Sequence, residues 1–281
     1  MSRASRHGTD LVMSRSDRVR PAAVAGFFYP GDAAELRTLV AELLSSAAPA
    51  PPRGPAPKAI IAPHAGYVYS GPIAASSFAA LAPAAPELRR VVLIGPSHRV
   101  RVRGVALPAA ESFETPLGAV PVDGEAVADL ARLPQVEVDA AAHADEHSLE
   151  VELPFLQLLC GPFQLVPLLV GQADGEQVAE VLERSWGGPE TAIVVSSDLS
   201  HYLPAAEAER VDRGTASQIL ALGGPLHPHQ ACGALPINGL LVAARRQGLV
   251  PRLLDLRHSG DTAGDRSQVV GYGAWAFHAT G

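Results

Sequence analysis

The chain has 281 residues, 47% hydrophobic and 18% charged, which excludes disorder along its whole length and supplies enough apolar material for a sizeable core. A formal net charge of −7 argues against a nucleic-acid footprint, and 26 Gly with 25 Pro stay below the level of low-complexity chains. Two cysteines, Cys160 and Cys232, cannot build a disulfide framework.

Residues 1–20 carry Arg3, Arg6, Arg15, Arg18 and Arg20 with little apolar periodicity and read as a flexible tail, within which Met13 is an alternative start. No secretory h-region follows Met1, so a cytoplasmic location is expected, with one domain over residues 21–281. The first helix is predicted over Ala33 to Leu44, where Leu36, Leu39, Val40, Leu43 and Leu44 make one stripe and Asp32 can cap the N-terminus. Pro49 to Pro57 is a stiff surface connection. Ala59 to Pro86 lacks any Asp, Glu, Lys or Arg, yet Pro63, His64, Gly66, Gly71 and Pro72 break a lipid-exposed helix, so no membrane span is expected. Strands are predicted at Lys58 to Ala62, Arg90 to Ile94, Gln164 to Val170, Ala192 to Ser196, Pro251 to Leu256 and Gln268 to Phe277. Further helices fit Gly124 to Leu133, Ser148 to Leu159, Gly175 to Ser185, Ala205 to Leu222 and Ile237 to Gln247. This alternation predicts a three-layer α/β sandwich with a largely parallel central sheet.

Three predicted strands end alike. Ala59-Ile60-Ile61-Ala62 runs into Pro63-His64-Ala65-Gly66, Val91-Val92-Leu93-Ile94 into Gly95-Pro96-Ser97-His98, and Ile193-Val194-Val195 into Ser196-Ser197-Asp198-Leu199-Ser200-His201. Parallel strands deliver their carboxyl ends to one edge, where ligands bind, so these residues converge. A lone histidine there is often only a polar end to a strand; three repeats favour a metal site, since imidazole suits zinc, copper and iron. Gly66 and Gly95 fit the tight turns of such an edge. Cys232, just before the last predicted helix but one strand pair from the end, is either a small core residue or a thiol drawn towards thiolate by a helix N-terminus.

Asp145-Glu146-His147-Ser148-Leu149-Glu150 is an acid-rich helix start whose His147 and Glu150 share a face and could reach the cleft. His143 and His147 have i,i+4 spacing but lack the acid placement of a zinc protease. Ser196, Ser197 and Ser200 beside Asp198 and His201 lack the Gly-x-Ser-x-Gly elbow of a serine hydrolase, and no Walker or Gly-x-Gly-x-x-Gly loop is present.

Together these motifs resemble the Memo family, also called AmmeMemoRadiSam system protein B. The similarity runs from Arg20-Pro21-Ala22-Ala23-Val24-Ala25-Gly26-Phe27-Phe28-Tyr29-Pro30 through the histidine motifs, Asp145 to Glu150 and Cys232-Gly233 to Gly271-Tyr272-Gly273-Ala274. The resemblance implies a fold like that of the class III extradiol dioxygenases. It implies metal positions at His64, His98 and Cys232, with Asp198 and His201 as the catalytic pair beside them. Phe28, which stands where eukaryotic members have a tryptophan, Tyr69, Glu146, His147 and Glu150 would line the pocket. Iron(II) is the implied metal, with copper or zinc as alternatives. The implied function is an iron-dependent, dioxygenase-like redox enzyme acting on a small molecule. A peptide- or partner-binding module using the same cleft and a copper carrier are the rivals. Radical-SAM and AMMECR-type proteins are the partners that the resemblance implies.

Overall fold

The computed structural model describes residues 18–47 and 56–280. Most of the predicted tail, with Met13, and most of the proline-rich connection lie outside the described residues. In chain order the elements are β1 (Val19–Arg20), α1 (Ala33–Ser46), β2 (Ala59–Ala62), α2 (Tyr67–Leu81), β3 (Arg90–Pro96), β4 (Val105–Leu107), β5 (Ser112–Thr115) and β6 (Gly118–Pro121). Next come α3 (Gly124–Leu130), β7 (Val136–Val138), α4 (Ala140–Ala144), a 3-10 turn at Glu150–Glu152, α5 (Leu153–Leu159), β8 (Gln164–Val170), α6 (Gly175–Arg184) and β9 (Thr191–Ser196). The chain closes with β10 (His201–Leu203), α7 (Ala205–Leu220), α8 (Ala234–Arg246), β11 (Leu249–His258) and β12 (Val269–Ala279).

Nine strands form one sheet in the order β10-β12-β2-β9-β3-β8-β4-β7, with β11 also paired to β12. Its centre, β2-β9-β3-β8, is parallel, as the βαβ alternation predicts. The margins depart from this: β12 runs antiparallel to β2, β10 and β11, and β4 antiparallel to β8, while β7 at the far edge is parallel to β4. The sheet is therefore mixed, with a parallel heart. A small second sheet, β1-β5-β6, stands apart from it.

Side chains alternate across the central strands, and this divides the core in two. Ile60, Val91, Leu93, Leu165 and Val194 face one cluster with Leu36 and Val40 of α1, Phe78 of α2 and Phe155 of α5. Ile61, Val92, Ile94, Val166 and Val195 face the other, with Val178 and Leu182 of α6, Ile219 of α7 and Leu240 of α8. Both faces are covered, so these strands read as continuous apolar runs. Asp32 caps α1 as expected, accepting from the amides of Ala34 and Glu35 at 2.8 and 3.0 Å.

Helix α2 was absent from the sequence expectation. It is apolar all round, carries Pro72 internally, and is sandwiched against α1, α5 and the sheet, so it has no polar face to reveal its period. Nor does the tail extend to residue 20. Val19 and Arg20 form β1 beside β5, and Arg20 is buried, its guanidinium paired with Glu150 and donating to the His143 carbonyl. Glu150 also accepts from the amides of Ala23 and Val24 and from the Tyr29 hydroxyl, which fastens the entering chain to the domain.

Two measurements follow from this packing. A methyl group at Gly239 of α8 would lie 2.2 Å from Val178 Cγ1 and 3.2 Å from the Ala179 amide nitrogen of α6. Gly239→Ala is expected to cost about 1–3 kcal/mol, read as a lower urea midpoint at unchanged slope. His143 is buried with its Nε2–H on the Ala106 carbonyl at 3.0 Å, and burial pushes its pKa down to about 4. The unfolded chain then binds a proton below about pH 6.5 that the folded chain refuses. Stability from this group is complete above that pH and falls as pH drops towards 4, by about 3 kcal/mol. His143→Gln, which keeps a donor for Ala106, is expected to flatten the unfolding free energy across that window by this amount.

Candidate metal centre

The parallel heart of the sheet fixes where the chemistry sits. Ala62 of β2 is in register with Ser196 of β9, and β3 runs alongside β9, so Pro63-His64, Ser97-His98 and Ser197-Asp198 leave three adjacent strands at one edge. The His64 and His98 rings lie 5.2 Å apart, and His147 joins them at 5.4 and 4.8 Å. Among the described residues, His64, His98 and His147 are the group of three whose ligand atoms could share an ion, all within 4.8 Å of one another. Cys232 brings its Sγ to 3.3 Å from His64 Nε2. It lies outside that three-membered group, in which His147 stands instead.

Each imidazole is held from behind. His98 Nδ1 donates to Glu146 Oε1 at 2.9 Å, and its backbone amide donates to Oε2 at 2.6 Å, so Nε2 carries the free lone pair. His147 Nδ1 lies 3.2 Å from the same Oε1 without hydrogen-bond alignment, and Phe28 tilts against its ring at 4.8 Å. Burial works to raise the Glu146 carboxyl, but the two imidazoles and the Ser148 amide overcome it and hold the group well below the carboxylate range.

His64 is fixed by a different arrangement. Ser196 Oγ lies 2.5 Å from the Ser148 carbonyl, 2.6 Å from His64 Nδ1 and 3.0 Å from Glu152 Oε1. A hydroxyl has one proton, and the carbonyl can only accept it. His64 Nδ1 must therefore donate to Ser196, which again leaves Nε2 as the lone pair. Glu152 is fully buried; burial and the nearby Asp198 push its carboxyl well up, so it sits there as the neutral acid and can donate to the same oxygen. Burial, then the neighbouring His147 and His98, push the His64 pKa well down and keep the ring neutral, as a metal ligand must be.

Cys232 departs from the helix-terminus expectation. Burial, reinforced by Asp198, pushes its thiol up to about 12, so in the metal-free chain it is protonated and its S–H is directed at His64 Nε2. Asp198 accepts from the His64 amide at 2.8 Å and its own amide donates to Cys232 Sγ at 3.3 Å, which ties the β2 and β9 ends to the loop before α8. His201 is exposed; its Nδ1 donates to the Leu199 carbonyl at 2.8 Å, so its Nε2 is the free base.

An open recess of about 420 Å³ collects Phe28, Tyr69, His147, Asp198 and His201. A second, of about 900 Å³, is bounded by His98, His201 and Cys232. Glu146 supports these walls from beneath. Glu150 does not reach the cleft: it is turned to Arg20 and Tyr29. His143 also points away, to β4, because α4 ends at Ala144 and breaks the i,i+4 relation to His147. Gly95 is needed for close approach, a Cβ there meeting Ser148 Oγ at 3.0 Å, whereas Gly66 has room. Glu152 and the bridging role of Ser196 went unread in the sequence, where one passes as a helix-start acid and the other as a strand end.

A family model described as Memo-like protein matches residues 20–276. A MEMO1 family protein of Methanopyrus kandleri is 38% identical over 285 residues, covering 92% of this chain and 98% of its own length. One from Aquifex aeolicus is 38% identical over 274 residues, covering 91% and 97%. The crystal structure of an uncharacterized Escherichia coli K12 protein, JW3007, aligns with a TM-score of 0.49 at 15% identity, covering 78% of this chain and 98% of that one. Over nearly all of its described length, with its histidine motifs in the cleft, the chain belongs to the Memo-like family.

Proposed function

We propose that this protein is a non-haem metal-dependent oxidoreductase, with iron(II) as its resident ion and a small organic molecule as substrate, working in the cytoplasm. The observation that carries the reading is the cluster of His64, His98 and His147, two of them with Nδ1 hydrogen-bonded behind so that Nε2 is the lone-pair nitrogen. The donors fit an ion: three imidazoles converge, and a thiol lies beside them. The resemblance to class III extradiol dioxygenases supports iron. His64 and His98 would hold the ion, with Cys232 as the third ligand that the family resemblance implies and His147 as the one that this geometry favours. Bound there, the ion supplies Lewis acidity and one-electron chemistry.

The chain's own groups do the rest. His201 has Nε2 free at the junction of two recesses and takes or returns a substrate proton. Asp198 holds the His64 backbone and places negative charge beside His201. Phe28 and Tyr69 wall the cleft. A second reading, the docking of a peptide or partner protein, is favoured by Phe27, 88% exposed, with Val68 and Tyr69 also exposed. The radical-SAM and AMMECR-type partners implied by the family are candidates for that surface.

Metal analysis after anaerobic purification tests the reading. Near-stoichiometric iron is expected in the parent protein, and zinc or copper in its place would overturn the iron assignment. His64→Ala and His98→Ala are expected to lose most of the metal. Comparing Cys232→Ser with His147→Ala identifies the third ligand. His201→Ala is expected to retain metal but lose turnover; equal metal loss in His201→Ala and His64→Ala would make it a ligand instead. Nitric oxide is expected to change the EPR spectrum of the anaerobic iron protein, and an unchanged spectrum would favour the docking reading. Ser196→Ala, which frees the His64 ring, is expected to weaken metal affinity about 10–100-fold and, because it leaves the buried Ser148 carbonyl, His64 Nδ1 and Glu152 without this partner, to lower the thermal stability of the metal-free chain as well.

A further inference from the structure

The loop joining β3 to β4 carries three arginines at alternate positions, Arg99, Arg101 and Arg103, all exposed. Arg18, Arg20, Arg90, Arg184 and Arg246 each have a carboxylate partner. Arg99 and Arg101 have none among the described residues. In a chain of net charge −7, acids are available to neutralise them, and the fold leaves them unpaired. Both line a recess of about 340 Å³ that also reaches His98 and Cys232, and no Asp or Glu belongs to its walls. Pro96, Val170, Leu235 and Pro236 share the remaining wall with Ser97 and Gln172, so the recess runs from a cationic side to the candidate metal centre over a mixed polar and apolar surface.

The loop is held rather than loose. Ser97 Oγ donates to the Val100 carbonyl at 2.6 Å, the Gln172 amide donates to the Val102 carbonyl at 2.9 Å, and Val102 is buried as an anchor. Val102 packs inward, and the arginines that flank it remain at the surface. Arg103 is equally exposed but does not line the recess.

We propose that Arg99 and Arg101 form an oxyanion-binding site that receives the carboxylate or phosphoryl group of a small molecule whose other end reaches His98 and Cys232. Guanidinium groups match both anions bidentately, and the absence of a competing acid in the walls leaves their charge for the ligand. A cavity of this size admits a small metabolite rather than a polymer. That this oxyanion belongs to the substrate rests on the metal-dependent reading above; the binding itself does not.

Titration calorimetry of the parent protein with succinate and, separately, with methyl phosphate tests the site and distinguishes the two anions. Saturable binding of one or both is expected. The double variant Arg99→Ala/Arg101→Ala is expected to weaken it at least tenfold, with unchanged metal content and melting temperature, and Arg103→Ala is expected to stay within twofold. No saturable binding by either anion overturns the proposal. So does an equal loss in Arg103→Ala, which would mean diffuse surface electrostatics. Repeating the titration on chelator-treated protein keeps the two readings apart: retained binding supports the arginine site even if the metal assignment fails, whereas binding that vanishes with the metal and is indifferent to the arginines refutes it.

Discussion

Three carboxyl groups buried within seven residues, Glu146, Glu150 and Glu152, hold this molecule to its shape. A buried carboxyl is costly unless it is satisfied or neutral, and each of the three meets that constraint differently. Glu146 is ionised and collects donors from His98, His147 and Ser148. Glu150 pairs with Arg20 and takes two further amides and a phenol from the entering chain. Glu152 is protonated and meets the hydroxyl that steadies His64. One short segment thus joins the start of the fold, the β3 end and the β9 end. Its position is set by this hydrogen-bond inventory together with the apolar packing of Leu149, Val151 and Leu153, which alternate with the polar groups and are buried in the core.

The second constraint is the parallel heart of the sheet. Strands β2, β9 and β3 are covered on both faces, so their polar residues can appear only where the strands end. That confines chemistry to the edge, and it is why three motifs from distant parts of the sequence arrive within a few ångströms of one another. The antiparallel pairings that flank the parallel strands leave that edge intact. β10 starts at His201 and pairs with β12, which turns the β9 loop back across the cleft and places His201 between two recesses.

This arrangement explains what the sequence made legible. β2, β3, β8 and β9 are uniform apolar runs with clear ends, and α1 and α6 are amphipathic with Asp caps, so local pattern and tertiary role agree. His64, His98 and Asp198 could be placed because a parallel strand end is itself a positional statement. α2 was not legible, since its exposed side, with Val68 and Tyr69, is as apolar as its buried one and leaves no period, and neither was the direction of the marginal strands, which depends on pairing rather than composition. Arg20 resembles a solvated tail residue until its partner, 130 positions later, is known. His147 and Glu150 share a helical face on paper; in the fold the segment before α5 is a 3-10 turn, and the two side chains part, one to the cleft and one to the entering chain. Cys232 precedes a helix, but burial and the Asp198 charge outweigh the helix terminus, because a dipole effect of about 0.3–1 kcal/mol is small beside the desolvation of a thiolate.

The candidate centre is approached from three sides of different character. Phe28 and Tyr69 bring aromatic surface, His201 a free imidazole nitrogen, and the loop after β3 brings unpaired cationic charge. His98 belongs to two of these recesses, as does Cys232, and His201 joins one of those two to the aromatic side. If the proposed oxyanion site and the proposed role of His201 hold, a molecule held on the arginine side would extend past His98 and Cys232 towards His201, with the anchoring and proton-moving groups lining different recesses. On that reading, binding energy gained at the arginines would be separated from the reacting position, and one part of a small substrate would fix the orientation of the other.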